Sequence, residues 1–450
     1  MTGGGKKILP SLMLVGGLAL GALSGAFAGD ESVRQAAPVS PSKLTLTLRE
    51  ALAAAADNNP DVLLHKERIE ASKGQVLTQL GAMLPNLSST VRQTRQTQFL
   101  GTFGLAPVRT DPFSIFDARV NASQNLFSLS LIQRWRASRE TLHATEFEAE
   151  MRKLDTMASV ALVYMENLKA AAMVKMRDAN QRVMIDLLGK IRHRQSQGAA
   201  TGLDRARLEG QLANERQQTT EARYEMQRTM LTLINLLALP YDLALSLTDE
   251  FHREVGAVST PEAAVEEALT NRPEVRAQYT RVRASELTYS SIAGERVPSL
   301  VAQGDYGLIG NRWNNSADTY NMAVLLQVPI FDGVQREGRV VEARSQLRQE
   351  ALRMRSVLNQ VKMEVYDALA ASASAQEQMA VAQAGLDAAT KELALALERY
   401  GLLTAASPFE VTNALNAVAR AKENHVNALF QLNAARVNLA RATGALQTLK

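Results

Sequence analysis

The chain has 450 residues, a formal net charge of +4, 21% charged and only 5% aromatic residues, and no cysteine. It is too long for a single compact core and too apolar to be disordered. The missing cysteines exclude a disulfide scaffold, a cysteine-ligated zinc or iron–sulfur site and thiol nucleophile chemistry, and the 46% hydrophobic share, mainly Ala, Leu and Val, favours long helical bundles over sandwiches.

At the N-terminus Lys6 and Lys7 precede an apolar run from Ile8 to about Phe27 that finishes in Ala26-Phe27-Ala28. That small-x-small ending predicts a signal peptide over residues 1–28. The alternative, an uncleaved anchor, is disfavoured by Pro10 and by glycines 16, 17, 21, 25 and 29, because a span wants ~20 strongly apolar residues. Without the two lysines, 48 basic residues (50 less these two) face 46 acidic ones. So balanced a chain makes no electrostatic case for nucleic acid. No cysteine follows the run to take a lipid, and no later stretch reaches 18 consecutive apolar residues. If the mature chain enters a membrane it must do so as strands. Export without disulfides fits a bacterial envelope protein.

The sequence then repeats itself. Residues 59–87 begin Asn-Pro-Asp-Val and end Leu84-Pro85-Asn86-Leu87; residues 272–300 begin Arg-Pro-Glu-Val and end Val297-Pro298-Ser299-Leu300. Pro60 matches Pro273, Ala71 matches Ala284 and Pro85 matches Pro298, all at one offset. A proline in a first helical turn starts a helix and the next proline stops it, so each copy opens with a short helix. Period-two alternation follows: Phe116, Ala118, Val120 and Ala122 in the first copy, and Tyr320, Met322, Val324, Leu326, Val328 and Ile330 in the second. With upstream partners at about 87–99 and 300–309, each copy offers two strands of roughly ten residues, joined by loops at about 100–114 and 310–319. Strands of that length suit a tilted bilayer crossing, and a soluble hairpin is the alternative. Four strands cannot close a barrel, so closure would need several chains.

Each hairpin leads into a proline-free helix, from about Leu131 to Gln197 and from about Arg336 to Arg399, which at 1.5 Å per residue reaches roughly 95–100 Å. In the second rod Val361, Val365, Ala368, Ser372, Ala375, Met379, Ala382, Leu386, Ala389, Leu393, Ala396 and Tyr400 recur at alternating spacings of four and three, a heptad seam of mostly small residues. Leu154, Ala158, Ala161, Met165, Leu168 and Ala172 repeat the idea in the first. Each rod ends in a turn and a returning helix of about 35 residues, the two aligning Ala222 with Ala428, Tyr224 with Phe430 and Leu233 with Leu439. In both turns a hydroxyl (Thr201, Ser407) stands three residues before an acid (Asp204, Glu410), the pattern of a capping box.

The paired Asn/Arg-Pro-x-Val segments, the closing Pro85 and Pro298, Val328-Pro-Ile-Phe-Asp-Gly333, and the turns ending Thr201-Gly-Leu-Asp204 and Ser407-Pro-Phe-Glu-Val411 resemble the TolC-like outer-membrane efflux protein family over about residues 42–446. The resemblance implies an α+β, predominantly α fold. Long coiled-coil hairpins would form a trimeric periplasmic α-barrel, and four strands per protomer would contribute to a twelve-stranded transmembrane β-barrel. It divides the mature chain into a first repeat (42–240), an equatorial segment (241–260) and a second repeat (261–446), with the short and returning helices stacked end to end beside each rod. It implies an outer-membrane exit duct for efflux or type I secretion, working as a homotrimer in outer-membrane lipid. Its partners would be a periplasmic adaptor and an inner-membrane transporter of the ABC or resistance-nodulation-division type, and it would have no cofactor.

The same resemblance puts the helix-turn tips and adaptor docking at Gly198, Thr201, Gly202, Leu203, Ser407, Pro408 and Phe409. Glu410 takes the place of an acidic aperture ring that would favour cations, and Asn413 stands where a second acid can occur. Tyr400 and Asp204 match positions that latch helices together in some relatives, but the arginine expected between them and the ring is absent from Leu403–Ala406. The plainer reading of Asp204 and Glu410 is as helix caps. No enzyme motif appears, and His65, His143, His193, His252 and His425 never fall within metal-ligand spacing. The rival functions are a soluble periplasmic coiled-coil scaffold or adaptor, which leaves the two hairpins unexplained, and a diffusion porin, which the rods argue against.

Overall fold

A computed structural model describes residues 43–446 except 105, 199, 253–259 and 403–407; the predicted signal peptide and Ser407 lie outside the described residues. Strand β1 (Lys43–Leu46) leads into helices α1 (Leu48–Asn58) and α2 (Pro60–Gly81), strand β2 (Asn86–Gln96), strand β3 (Phe113–Phe127), rod α3 (Leu129–Ser196) and returning helix α4 (Gly202–Leu236). The second half begins at β4 (Ala244–Leu247) and repeats the series as α5 (Pro261–Asn271), α6 (Pro273–Ala293), β5 (Ser299–Arg312), β6 (Asn315–Gln327), rod α7 (Gln335–Leu402) and α8 (Pro408–Thr443). Both rods have 68 residues, roughly 100 Å at the α-helical rise.

The punctuation behaves as its chemistry requires. Pro60 and Pro273 each occupy a first helical turn, where the missing N–H costs nothing. Asn59 caps α2 through its Oδ1, which accepts from Asp61 N, while its Nδ2 donates to Leu236 O at 2.7 Å. One side chain thus joins the start of α2 to the end of α4, and these two helices stack along α3. Their 22 and 35 residues cover most of the length of its 68. In α7 every predicted seam position from Val361 to Tyr400 is buried or half-buried, and nearly every residue between them is exposed. The seam packs against α8 along most of its length and against α5 and α6 nearer the sheet. Rod α3 is covered on more sides because α1, α2, α4, α6 and α8 all lean on it. It also holds the one stretch of helix, among the described residues, apolar and long enough to cross a membrane. In the fold Val160, Ala161 and Tyr164 of this rod are fully buried in the main core against Leu52, Leu233 and Val437.

Two features go beyond the sequence expectations. Helices α1 and α5 precede α2 and α6, α1 opened by a capping box between Thr47 and Glu50, and β1 pairs in parallel with β4 around the waist of the rods. There Tyr164 donates its hydroxyl to Leu46 O and Asp249 Oδ2, both at 3.1 Å, and Asp249 Oδ2 also accepts from Leu48 N at 2.6 Å. Burial pushes the Tyr164 phenol well above its usual range. At the second waist Arg272 is buried between Glu274 and Glu364, the latter at 2.6 Å. Desolvation opposes its charge, but the two carboxylates outweigh it and hold the guanidinium above its usual pKa.

The strands correct the predicted loops. The second hairpin turns on Trp313 and Asn314 alone, so the expected loop over 310–319 is strand on both sides. In the first, β3 starts at Phe113, and the connection is organised by a 3₁₀ turn at Leu100–Phe103 and a bridge between Phe99 and Arg109. The strands run to 11–15 residues, longer than the ten expected. Charged and Gly-bearing ends mask their true length in the sequence.

Candidate functional site

The four long strands form one antiparallel sheet in the order β2-β3-β5-β6, so the two repeats meet at the β3–β5 seam and, among the described residues, β2 and β6 are left as unpaired edges. Register sorts the side chains onto two faces, because successive residues of a strand point to opposite sides. One face carries Leu87, Val91, Val120, Tyr306, Tyr320, Met322, Val324 and Leu326, each between 50% and 80% exposed. An apolar face so open is rare on a water-soluble monomer and matches the outward side of a membrane barrel. The other face carries Thr90, Asn121, Gln303 and Asn321 together with an ion triad in which Arg119 donates to Asp117 and Asp305, both at 2.6 Å.

At the far end of the rods lie the two turns. Rod α3 ends at Ser196 with Gln197 as its C-cap, and Gly198 takes the left-handed φ of 76° that closes the helix, a conformation that favours glycine. Thr201 caps α4: its hydroxyl accepts from Asp204 N at 3.2 Å, and Asp204 Oδ2 accepts from the Thr201 hydroxyl at 2.6 Å and its N–H at 3.2 Å. Thr201→Ala is expected to cost about 1 kcal/mol of local stability, seen as faster amide exchange in the first turn of α4 with the rest of the chain unchanged. Gly202 opens α4, and Leu203 is exposed.

In the second turn Pro408 opens α8, Phe409 is half-exposed with the Arg207 guanidinium 6.0 Å from its ring, and Glu410 and Asn413 lie one turn apart on the exposed face. Val411 and Leu415 point inward to a cluster with Leu188, Ile191, Leu208 and Tyr400, which joins all four long helices at the tip.

The Tyr400 hydroxyl and the Asp204 carboxylate do not meet. The carboxylate is engaged by Thr201, and the buried Tyr400 hydroxyl has no hydrogen-bond partner among the described residues. The link between rods is made instead by Arg194 of α3. Its Nη2 donates to Tyr400 O at 2.6 Å and its guanidinium lies 4.0 Å from the Tyr400 ring centroid. Arg399 stands 3.5 Å from Glu410. These two arginines supply the cationic groups that the apolar turn lacks. Arg194 is legible in the sequence only through the repeat, since it is the first-half counterpart of Tyr400 at the 206-residue offset of the returning helices. Beside them Arg205 and Arg192, bonded to Glu209, hold its carboxyl below the usual carboxylate range.

A sequence model of the outer membrane efflux protein family matches residues 51–239 and 264–445, which follow the two halves of the fold. The chain belongs to this family of TolC-like channels, and with it to the outer membrane, with the rods in the periplasm. The soluble scaffold is thereby set aside. The chain is 22% identical to the pyoverdine export outer membrane protein OpmQ of Pseudomonas putida over 286 residues, 62% of this chain and 60% of that protein. The match therefore spans about three-fifths of the relative's length. Among solved structures it is similar to the Campylobacter jejuni CmeC outer membrane channel (17% identity, TM-score 0.80, 90% of this chain and 87% of that one). It is also similar to VceC of Vibrio cholerae (18% identity, TM-score 0.78, 88% and 96%).

Proposed function

We propose that three copies of the chain close edge to edge, β6 of one on β2 of the next, into a twelve-stranded barrel continued by an α-helical tunnel. This trimer is the exit duct of an efflux assembly. The observation that carries the reading is the unpaired-edged sheet with one open apolar face, set at the end of 68-residue rods. Lipid covers the apolar face, subunit neighbours cover the edges, and the triad of Arg119, Asp117 and Asp305 faces the lumen. A periplasmic adaptor grips the tips around Gly198–Leu203 and Pro408–Phe409, and an inner-membrane transporter of the ABC or resistance-nodulation-division type supplies the energy. The OpmQ relatives, named for pyoverdine export, favour small-molecule cargo over type I protein secretion. A detergent-stable trimer in the outer-membrane fraction, crosslinked to an adaptor when Leu203 carries a photoreactive group, is the expected result; a monomer without adaptor crosslinks refutes the reading.

At the aperture Glu410 forms the acidic ring and Arg399 offsets it. Glu410→Ala lowers cation preference in planar-bilayer recordings, and Arg399→Ala raises it, because each removes one sign from the same exposed pair. Equal selectivity in both variants would remove Glu410 from the aperture.

A further inference from the structure

Between the sheet and the rods the chain carries three exposed arginines on one short stretch of helix. Arg134, Arg136 and Arg139 fall in the first three turns of α3, with no acid in its first turn. All three side chains are exposed. Arg134 reaches Glu295 only at 4.0 Å, and among the described residues no ion pair is found for Arg136 or Arg139. Arg139 lies over the ring of Trp135 at 5.2 Å. Trp135 is one of only two tryptophans in the chain; the other, Trp313, is at the opposite end of the sheet in the β5–β6 turn and 70% exposed.

The apolar face of the sheet runs directly into this patch. Phe127 closes β3 two residues before α3 begins, and past the end of β6 Ile330 and Phe331 are 91% and 79% exposed. Val334 follows in a left-handed conformation (φ 68°), strained for a β-branched residue and left 60% exposed. Aromatic and apolar side chains followed within about three helical turns by arginines make the profile of a chain leaving hydrocarbon through the headgroup layer. The rods are periplasmic, so this layer belongs to the periplasmic leaflet.

We propose that Arg136 and Arg139, flanked by Trp135 and the Ile330–Phe331 flange, form a binding surface for the phosphates of anionic phospholipid headgroups in that leaflet. The surface anchors the barrel-to-tunnel junction at a fixed depth. The proposal rests on the sheet crossing the outer membrane in the trimeric duct.

Trp135 is its own reporter once Trp313→Phe leaves it as the sole tryptophan. The full-length Trp313→Phe protein is reconstituted in vesicles containing equal amounts of phosphatidylethanolamine and phosphatidylglycerol, with one or the other brominated. Quenching by brominated phosphatidylglycerol is expected to exceed that by brominated phosphatidylethanolamine roughly twofold or more. Arg136→Gln with Arg139→Gln removes the difference, and the double lysine replacement retains most of it. Equal quenching by the two lipids overturns the headgroup assignment while leaving the sheet in the membrane; no quenching by either overturns the membrane placement as well. Dissociation of the double glutamine variant into monomers in lipid-free detergent assigns the arginines to a subunit contact and overturns the proposal. A lipid preference that weakens at high salt in an intact assembly supports it.

Discussion

Valine at Gly307 is expected to abolish assembly of the four-stranded sheet. Gly307 lies on β5 opposite Arg119 of β3, at the seam where the two repeats join. A Cβ placed there would stand 2.2 Å from Ala118 O and 2.7 Å from Arg119 Cα. Both are backbone atoms of the neighbouring strand, so no rotamer change relieves the clash. The strands would have to part by nearly 1 Å against a normal spacing of about 4.8 Å, which takes the ladder out of hydrogen-bonding range. The separation also pulls Asp305 away from Arg119, whose stem crosses the space the glycine leaves open. In a bilayer each freed N–H and C=O costs several kcal/mol because no water replaces the partner. Gly307→Val should therefore be missing from the outer-membrane fraction and inactive in export, with Gly307→Ala intermediate. The control is Gly74→Ala on α2, where nothing lies within 4 Å of the added carbon, and where relief of helix entropy should stabilise by roughly 0.5–1 kcal/mol. Normal outer-membrane levels and full export for Gly307→Val would contradict the packing argument.

The features legible in the sequence are those written in local chemistry. Two prolines in first helical turns, a hydroxyl three residues before an acid, and a four-three alternation of small residues specify helix starts and a seam with no knowledge of distant contacts. Val361 to Tyr400 accordingly fall on the buried stripe one by one. The strand pair at 299–327 is less legible, because Gly304, Gly307 and Gly310 interrupt the alternation that marks a strand. The register explains two of them. Gly307 and Gly310 sit where backbone from a partner strand passes within 2.2 Å of any added carbon. Strands β1 and β4, four residues each, are too short for periodicity to register. At the tip, the cap of α4 by Thr201 and Asp204 is local and readable, while the ties of Arg194 to Tyr400 and of Arg399 to Glu410 are not. The first spans 206 residues and joins equivalent points of the two repeats, so only the internal symmetry points to it.

That tie predicts the largest functional effect. Arg194→Ala is expected to open the resting duct. Tyr400 stands in the last turn of α7, where carbonyls lack helical partners. Arg194 satisfies one of them at 2.6 Å and covers the ring at 4.0 Å. A charge-assisted hydrogen bond to a partly buried carbonyl is worth about 1.5–3 kcal/mol and the stacking roughly a further 1 kcal/mol, so its loss shifts an equilibrium between packed and splayed tips by about two orders of magnitude or more. The remaining contacts of the tip cluster, Val411 and Leu415 on Ile191 and Leu208, are apolar and less directional, and they tolerate sliding. Single-channel conductance in planar bilayers should rise, and cells carrying Arg194→Ala should admit large antibiotics normally excluded. Tyr400→Phe is expected to leave conductance unchanged, since the hydroxyl it removes is buried without a partner among the described residues. Asp204→Ala should act only through the cap of α4. The contrast among the three variants separates the arginine tie from a tyrosine–aspartate latch: conductance that rises in Tyr400→Phe and stays at rest in Arg194→Ala would return the gate to the latch.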